Sequence, residues 1–228
     1  MKLNPIHQSL IAALSITAIG AAAPAVAYDK GDTVVRGGIA SVVPGGSYSG
    51  VAGDNLDLRV DRDTQAAVSL SYMFTDHISL DLLAATPFEH DIEASQAGGA
   101  AIGSTKHLPP TLTVSWFPLS GMDFGFKPYV GAGLNYTTFW DEELNNTGQT
   151  AINAITGQPQ TSMNKLNLDD SLGLAAQVGV DVPLDDNWSV GAAAYYADIE
   201  TDAELNGNDI GTVEIDPMIY RLHVGYSF

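Results

Sequence analysis

Large apolar residues recur at every second position through eight stretches of the chain. The last is the plainest: Tyr220, Leu222, Val224, Tyr226 and Phe228 alternate with Arg221, His223, Gly225 and Ser227. Successive side chains of a strand point to opposite faces, so a period of two predicts a strand with one apolar side and one small or polar side. The same period predicts strands over residues 33–43, 66–74, 78–85 with an upper half reaching Glu93, 106–117, 128–141, 171–182, 188–196 and 213–228. In the sixth, Leu172, Leu174, Ala176, Val178, Val180 and Val182 alternate with Ser171, Gly173, Ala175, Gln177, Gly179 and Asp181.

The connections between these stretches alternate in length. Thr75–His77, Pro118–Lys127 and Pro183–Asn187 are short or moderate, whereas the intervening connections are long and polar. Membrane barrels have even strand numbers, short periplasmic turns and long outer loops. The expected fold is therefore all-β: an eight-stranded antiparallel transmembrane β-barrel with both mature termini in the periplasm. Phe74, Trp116, Trp188, Tyr226 and Phe228 lie beside the short turns or the chain end, where an interfacial aromatic girdle belongs. A soluble lipocalin-like barrel would turn its bulky side inward. Here the consistently bulky face is paired with a small, mixed one, which is the reverse. Arg36, on the first strand, belongs inside, because a basic side chain on the lipid face costs roughly 2–4 kcal/mol at mid-bilayer.

Composition narrows the function classes. Against 27 Asp and Glu there are 9 Lys and Arg, a formal charge of −18, and there is no Cys. Nucleic-acid binding needs clustered basic residues, and zinc-thiolate or disulfide frameworks need cysteine, so all three are excluded. Residues 1–27 read as a secretory signal: Lys2, then a mostly apolar run from Leu10 to Val26, then Ala25-Val26-Ala27 before a cut ahead of Tyr28. This leaves residues 28–228 as the barrel, destined for the outer membrane of a Gram-negative cell. No later run is long and apolar enough for a spanning helix, so the membrane must be crossed by strands.

Several stretches resemble one family. Lys106-His-Leu-Pro-Pro-Thr-Leu-Thr-Val-Ser-Trp-Phe117, Phe126-Lys-Pro-Tyr-Val-Gly-Ala-Gly-Leu-Asn-Tyr-Thr-Thr-Phe139, Ile215-Asp-Pro-Met-Ile-Tyr220 and Gly225-Tyr-Ser-Phe228 are similar to the OmpW family of outer-membrane proteins, which includes AlkL-type hydrocarbon importers. The resemblance implies an eight-stranded barrel that passes small hydrophobic molecules through the outer membrane. Met218 stands where members often have an aromatic, and Ala192-Ala-Ala-Tyr-Tyr196 where charged inward residues are common. Both departures make the lumen more apolar.

Eight strands enclose little more than their own side chains, so a wide aqueous pore is not expected. The inward positions Leu83, Ala85, Ala175, Ala193 and Tyr195 mark a partly apolar upper lumen, above a polar lower half containing Arg36, Asp81, Gln177 and Arg221. Pro87 on the third strand and Pro109 with Pro110 on the fourth donate no ladder hydrogen bonds. They mark either a weakened seam, through which solute leaves sideways into the membrane, or ordinary loop entry above it. The substrate path is thus expected along Leu83, Ala85, Pro87, Pro109, Pro110, Ala175, Ala193 and Tyr195. Expected partners are outer-membrane lipid and lipopolysaccharide, small hydrophobic solutes, and the barrel-assembly machinery, met by the closing strand that ends at Phe228; no cofactor is expected. The acidic connections, with Asp54, Asp57, Asp91, Glu93, Asp141, Glu142, Glu143, Asp202 and Glu204, lack calcium-loop spacing and read as solvated charge. An enzyme would draw on His77, His90, His107 or His223, the last near Ser227, but no oxyanion hole accompanies them. A barrel acting in adhesion or envelope integrity is the remaining alternative.

Overall fold

The computed structural model describes residues 28–45, 47–51, 56–94, 98–122, 124–150 and 165–228. The signal segment over residues 1–27, and Asp54, Ile152, Ile155 and Met163 of the long connections, lie outside the described residues.

In chain order the strands are β1 (Thr33–Val43), β2 (Ser47–Val51), β3 (Leu56–Val60), β4 (Asp63–Thr75), β5 (Ile78–Ala85), β6 (Phe88–Ala94), β7 (Ala100–Leu108) and β8 (Thr111–Trp116). They continue as β9 (Lys127–Leu144), β10 (Leu166–Leu168), β11 (Ser171–Pro183), β12 (Trp188–Ala197), β13 (Glu200–Leu205), β14 (Asn208–Glu214) and β15 (Met218–Ser227). Eight of them close a ring in which each pairs antiparallel with the next: β1, β4, β5, β8, β9, β11, β12, β15 and back to β1. Closure leaves no sheet edge, which is what a lipid environment demands of strands.

Side-chain exposure is inverted relative to a soluble barrel. Leu172 is 69% exposed and Leu174 67%, while Arg36 is 2% exposed and Asp181 0%. This apolar belt has an upper limit. On β9 the exposed large apolar residues stop at Tyr136, and among the described residues β6, β7, β10, β13 and β14 expose none. Beyond the belt the outer surface carries Glu89, Asp91, Asp141, Glu143, Glu200 and Asp202. The molecule thus has a floor, where Tyr28, Phe228 and the three shorter turns lie, a belted wall, and a polar-faced crown built from β2, β3, β6, β7, β10, β13, β14 and the end of β9.

Three boundaries depart from the sequence expectation. The long connections are not loops throughout, because much of each rises as crown strand. Their outer faces meet water, so charged residues replace the bulky ones that signal a belt strand, and only the inner face, such as Phe88, His90, Ile92 and Ala94, keeps its period. The expected fourth strand breaks at Pro109–Pro110 into β7 and β8. The closing strand begins at Met218 rather than Val213, since Asp216 has a positive φ of 40° and Pro217 follows it.

Candidate functional site

The interior is layered from the floor upward. At the bottom Tyr28, Val34, Met73 and Phe117 form an apolar cap, with Tyr28 edge-on to Phe117 at 5.4 Å. Above it lies an ionic plug. Asp181 accepts from Arg36 Nη2 at 2.7 Å and Nε at 3.1 Å, from the Tyr28 hydroxyl at 2.7 Å, and meets His223 Nε2 at 2.7 Å. Arg36 also donates to Ser71. Beside this group the Gln177 amide donates to Thr113 and Ser115 at 2.6 Å and to Asp81 at 3.2 Å. In a barrel this narrow, charges that satisfy one another across the bore leave no open axial route.

Register explains how the plug assembles. Gly191 pairs with Asp181 on one side and with His223 on the other, so the three stand in one row across β11, β12 and β15. A Cβ on Gly191 would lie 2.5 Å from both Asp181 Oδ1 and His223 Nε2. The absent side chain is what lets the carboxylate reach over β12. Gly179 works similarly: its register partner Tyr129 lays its ring where a Cβ would stand, 2.3 Å from Cζ.

The apolar packing that begins at the cap continues past the plug toward the crown. Leu83, Ala193 and Tyr195 are buried there with Phe88, Val42 and Ile219; Ala85 packs against them, and Ala175 is buried opposite Ala197 in the register of β11 with β12. None of these five expected path residues lines the crown cavity. Arg221 sits beneath Tyr195, its guanidinium 5.6 Å from the ring.

The open volume lies higher, in the crown. A cavity of about 80 Å³ is walled by Ile92, Ile102, Phe139, Leu166, Ile199 and Ile215, with His90, Thr105 and His107 among its few polar side chains. Sequence reasoning missed it. The upper half of the third strand is expected to reach Glu93, but residues 96–104 read as a loop, so the pairing of β6 with β7 that encloses the cavity is not legible. One wall is a ladder of rings. Phe88 stacks on His107 at 5.5 Å, His107 on His90 at 4.9 Å with planes 14° apart, and Phe139 meets His107 at 5.8 Å. Burial first and the neighbouring His90 second depress His107 to about 3, and burial also lowers His90, so both rings are neutral at pH 7.

The prolines meet at a discontinuity just below this ladder. β5 and β8 pair up to Leu83 with Thr111, and β6 and β7 resume at Phe88 with His107. Between them Ala84–Pro87 and Leu108–Pro110 form no pairs with each other, although Ala84 and Ala85 pair with β4 and Leu108 with β9. The carbonyls of Pro109 and Pro110 turn toward β9 instead: Pro109 accepts from Asn135 Nδ2 at 3.3 Å and Pro110 from the Tyr136 backbone N–H at 3.0 Å. Pro87 is exposed on the outside, Pro109 is buried and Pro110 half-buried. None of the three lines the cavity, and Phe88 with His107 stands between.

The other histidines are dispersed. His77 Nδ1 lies 2.8 Å from the Phe117 carbonyl at the floor, and His223 is held in the plug. Ser227 Oγ donates to Asp32 at 3.4 Å, so the sequence neighbours Ser227 and His223 have separate partners.

An apolar-belted barrel of eight strands, closed below and hollow above, admits several relatives, and the sequence profile of the OmpW family matches residues 29–228. The chain belongs to the OmpW family. Outer membrane protein W of Vibrio cholerae is 45% identical over 224 residues, covering 96% of this chain and 98% of that protein. Among solved structures, OprG from Pseudomonas aeruginosa is 32% identical with a TM-score of 0.74, over 88% of this chain and 97% of that one. Outer membrane protein AlkL, solved in DMPC bilayers, is 21% identical with a TM-score of 0.65, over 88% and 92% respectively; at that identity the likeness is one of fold. The relatives carrying the OmpW name are outer-membrane proteins, and the apolar belt on this OmpW-family chain fits the same setting.

Proposed function

We propose that this OmpW-family barrel is a passive conduit that takes small hydrophobic molecules from outside the cell and releases them sideways into the outer membrane. The crown faces the exterior and the floor, with both mature termini, faces the periplasm. One observation carries the reading: the apolar hollow sits above a charged plug, with the unpaired stretch at Pro87, Pro109 and Pro110 in the wall directly beneath it. A solute leaving water for the cavity gains about 25 cal/mol for each Å² of apolar surface buried. It gains nothing by descending, because the plug is charged. The bilayer beside the seam is the nearest apolar sink, reached when the Phe88–His107 contact parts. Leu83 and Ala85 below Phe88, and Pro87, Pro109 and Pro110 in the wall, border that exit; Ala175, Ala193 and Tyr195 close the way down.

Uptake of an alkane against a sugar, measured in vesicles reconstituted with the barrel, tests this directly. The alkane should enter faster than in protein-free vesicles and the sugar should not. Replacing Pro109 and Pro110 with Val restores ladder donors and should slow alkane entry severalfold. Unchanged alkane entry in that variant, at equal insertion, rules out the lateral exit. Absence of any alkane flux removes the conduit and favours adhesion through the acidic crown. Lipopolysaccharide around the belt and the assembly machinery at the Phe228 strand are the remaining partners in this reading.

A further inference from the structure

Most of the cavity wall is hydrocarbon, and beside the stacked His107 its polar side chains divide into two kinds. Thr137 and Thr201 are spent elsewhere: Thr137 donates to Asn135 at 2.7 Å and Thr201 to the Asp169 carbonyl at 2.7 Å. His90 and Thr105 are different. They are direct register partners across β6 and β7, 2% and 6% exposed, and both line the cavity. Among the described residues His90 Nε2 and Thr105 Oγ1 have no hydrogen-bond partner. Buried polar atoms are nearly always paired, so two orphans on adjacent residues that both line one apolar hollow point to a missing third group.

The chemistry of that group follows from the protonation of His90. Its Nδ1 contacts the Asp61 carbonyl oxygen, which only accepts, so Nδ1 carries the proton and Nε2 of the neutral ring presents a bare lone pair. Burial keeps the ring neutral, as described above. Nε2 therefore needs a donor. The Thr105 hydroxyl both donates and accepts, and it sits across the ladder from that lone pair. A single hydroxyl satisfies the two together, donating its proton to Nε2 and accepting one from Thr105. An alkane satisfies neither atom, and a carboxylate has no proton to offer Nε2. A charged headgroup would also enter a wall that offers no opposite charge.

We propose that the crown cavity is a selectivity site for short aliphatic alcohols, docked by their hydroxyl on His90 and Thr105 with the chain along the Ile92, Ile102 and Ile199 wall. This rests on the conduit reading and adds a solute class to it. It also gives the phenylalanine and histidine ladder a role. The stacked rings hold His90 in one orientation, so the acceptor is fixed before the solute arrives and little ordering remains on binding.

The test uses the full barrel in lipid nanodiscs, labelled with nitrogen-15 histidine, titrated with 1-octanol, n-octane and octanoate. The alcohol is expected to shift the His90 Nε2 resonance upfield and to bind at least about tenfold tighter than the alkane, the margin of one satisfied buried pair. Octanoate should bind weakest. Thr105→Val should erase most of the alcohol's advantage while leaving octane binding intact, and Thr105→Ser should restore it. His90→Phe should abolish the preference, with heat-modifiable gel mobility confirming that each variant is folded. Equal binding of octanol and octane, with no effect of either substitution, overturns the alcohol site and leaves the conduit standing. Failure of all three probes to bind overturns both.

Discussion

Two buried histidines sit at opposite ends of this barrel in opposite circumstances. His223, in the plug, has the Asp181 carboxylate 2.7 Å away and Arg36 on the same acid. His107, in the crown, has rings on three sides and no acid in contact. Both rings are held rigidly, one by charge and the other by stacking. A charged network resists being parted, since separating one partner leaves the others buried and uncompensated. A stacked apolar ladder parts at the cost of dispersion and burial alone, and it closes again without desolvating an ion. The barrel thus places its costly contacts where nothing is to pass and its separable ones where solute enters.

The sharpest way to break this contrast is to remove the centre of the plug. Asp181→Ala strands Arg36 and His223, and it should cost about 3–5 kcal/mol in urea unfolding from lipid vesicles. Replacing Arg36, Asp181 and His223 together with apolar residues of similar volume should recover most of that. If the single substitution proves as mild as the triple one, the plug is not an interdependent network. Next in size is Gly191→Ala. Its Cβ would stand 2.5 Å from Asp181 Oδ1, from His223 Nε2 and from the Val180 carbonyl, so the row must shift, at about 1–3 kcal/mol. Gly37→Ala, where nothing lies within 4 Å, is the control and should change stability by less than about 0.5 kcal/mol. Equal losses for the two glycines would mean that strand propensity, not the plug, sets the effect.

The sequence shows the wall far better than the site. Along β11 and β15 the belt residues face lipid and their neighbours face the bore, so a period of two is visible without tertiary information. Arg36 could be turned inward by the cost of a cation in lipid, and the structure places it there. The plug's partners could not be read the same way. Asp181, Gly191 and His223 are drawn together by register across three strands, and no spacing in the sequence encodes a register. The crown was harder still. Its outer face meets water, so one member of each alternating pair is charged or small; the third strand could be followed up to Glu93, but the 96–104 stretch read as a Gly/Ala-rich loop rather than as the start of β7. Pro109 and Pro110 were legible because proline changes the ladder wherever it falls. What they adjoin, the ring ladder and the hollow above it, depends on β6 and β7 pairing in space.

The finest distinction between the two ends is their response to acid. In the unfolded chain His107 takes up a proton near its ordinary 6.5, whereas in the crown it resists until about 3, chiefly because of burial. Between those values the unfolded state binds more protons than the folded one, so crown stability rises with pH and falls on acidification. The loss begins below about pH 6.5 and levels off below about pH 3, and at about pH 5 it should be about 2 kcal/mol. His90 is lowered for the same first reason and adds in the same direction. Hydrogen exchange of β6 and β7 amides, corrected for intrinsic rates, should therefore lose protection between about pH 7 and pH 5. Residues of β1 and β4 should hold theirs. His107→Phe, which keeps the stack without the titrating nitrogen, should flatten most of the crown's response. A crown and wall that lose protection in parallel, or a His107→Phe variant that is as acid-sensitive as the parent, would show that the ladder's neutrality is not what sets its stability.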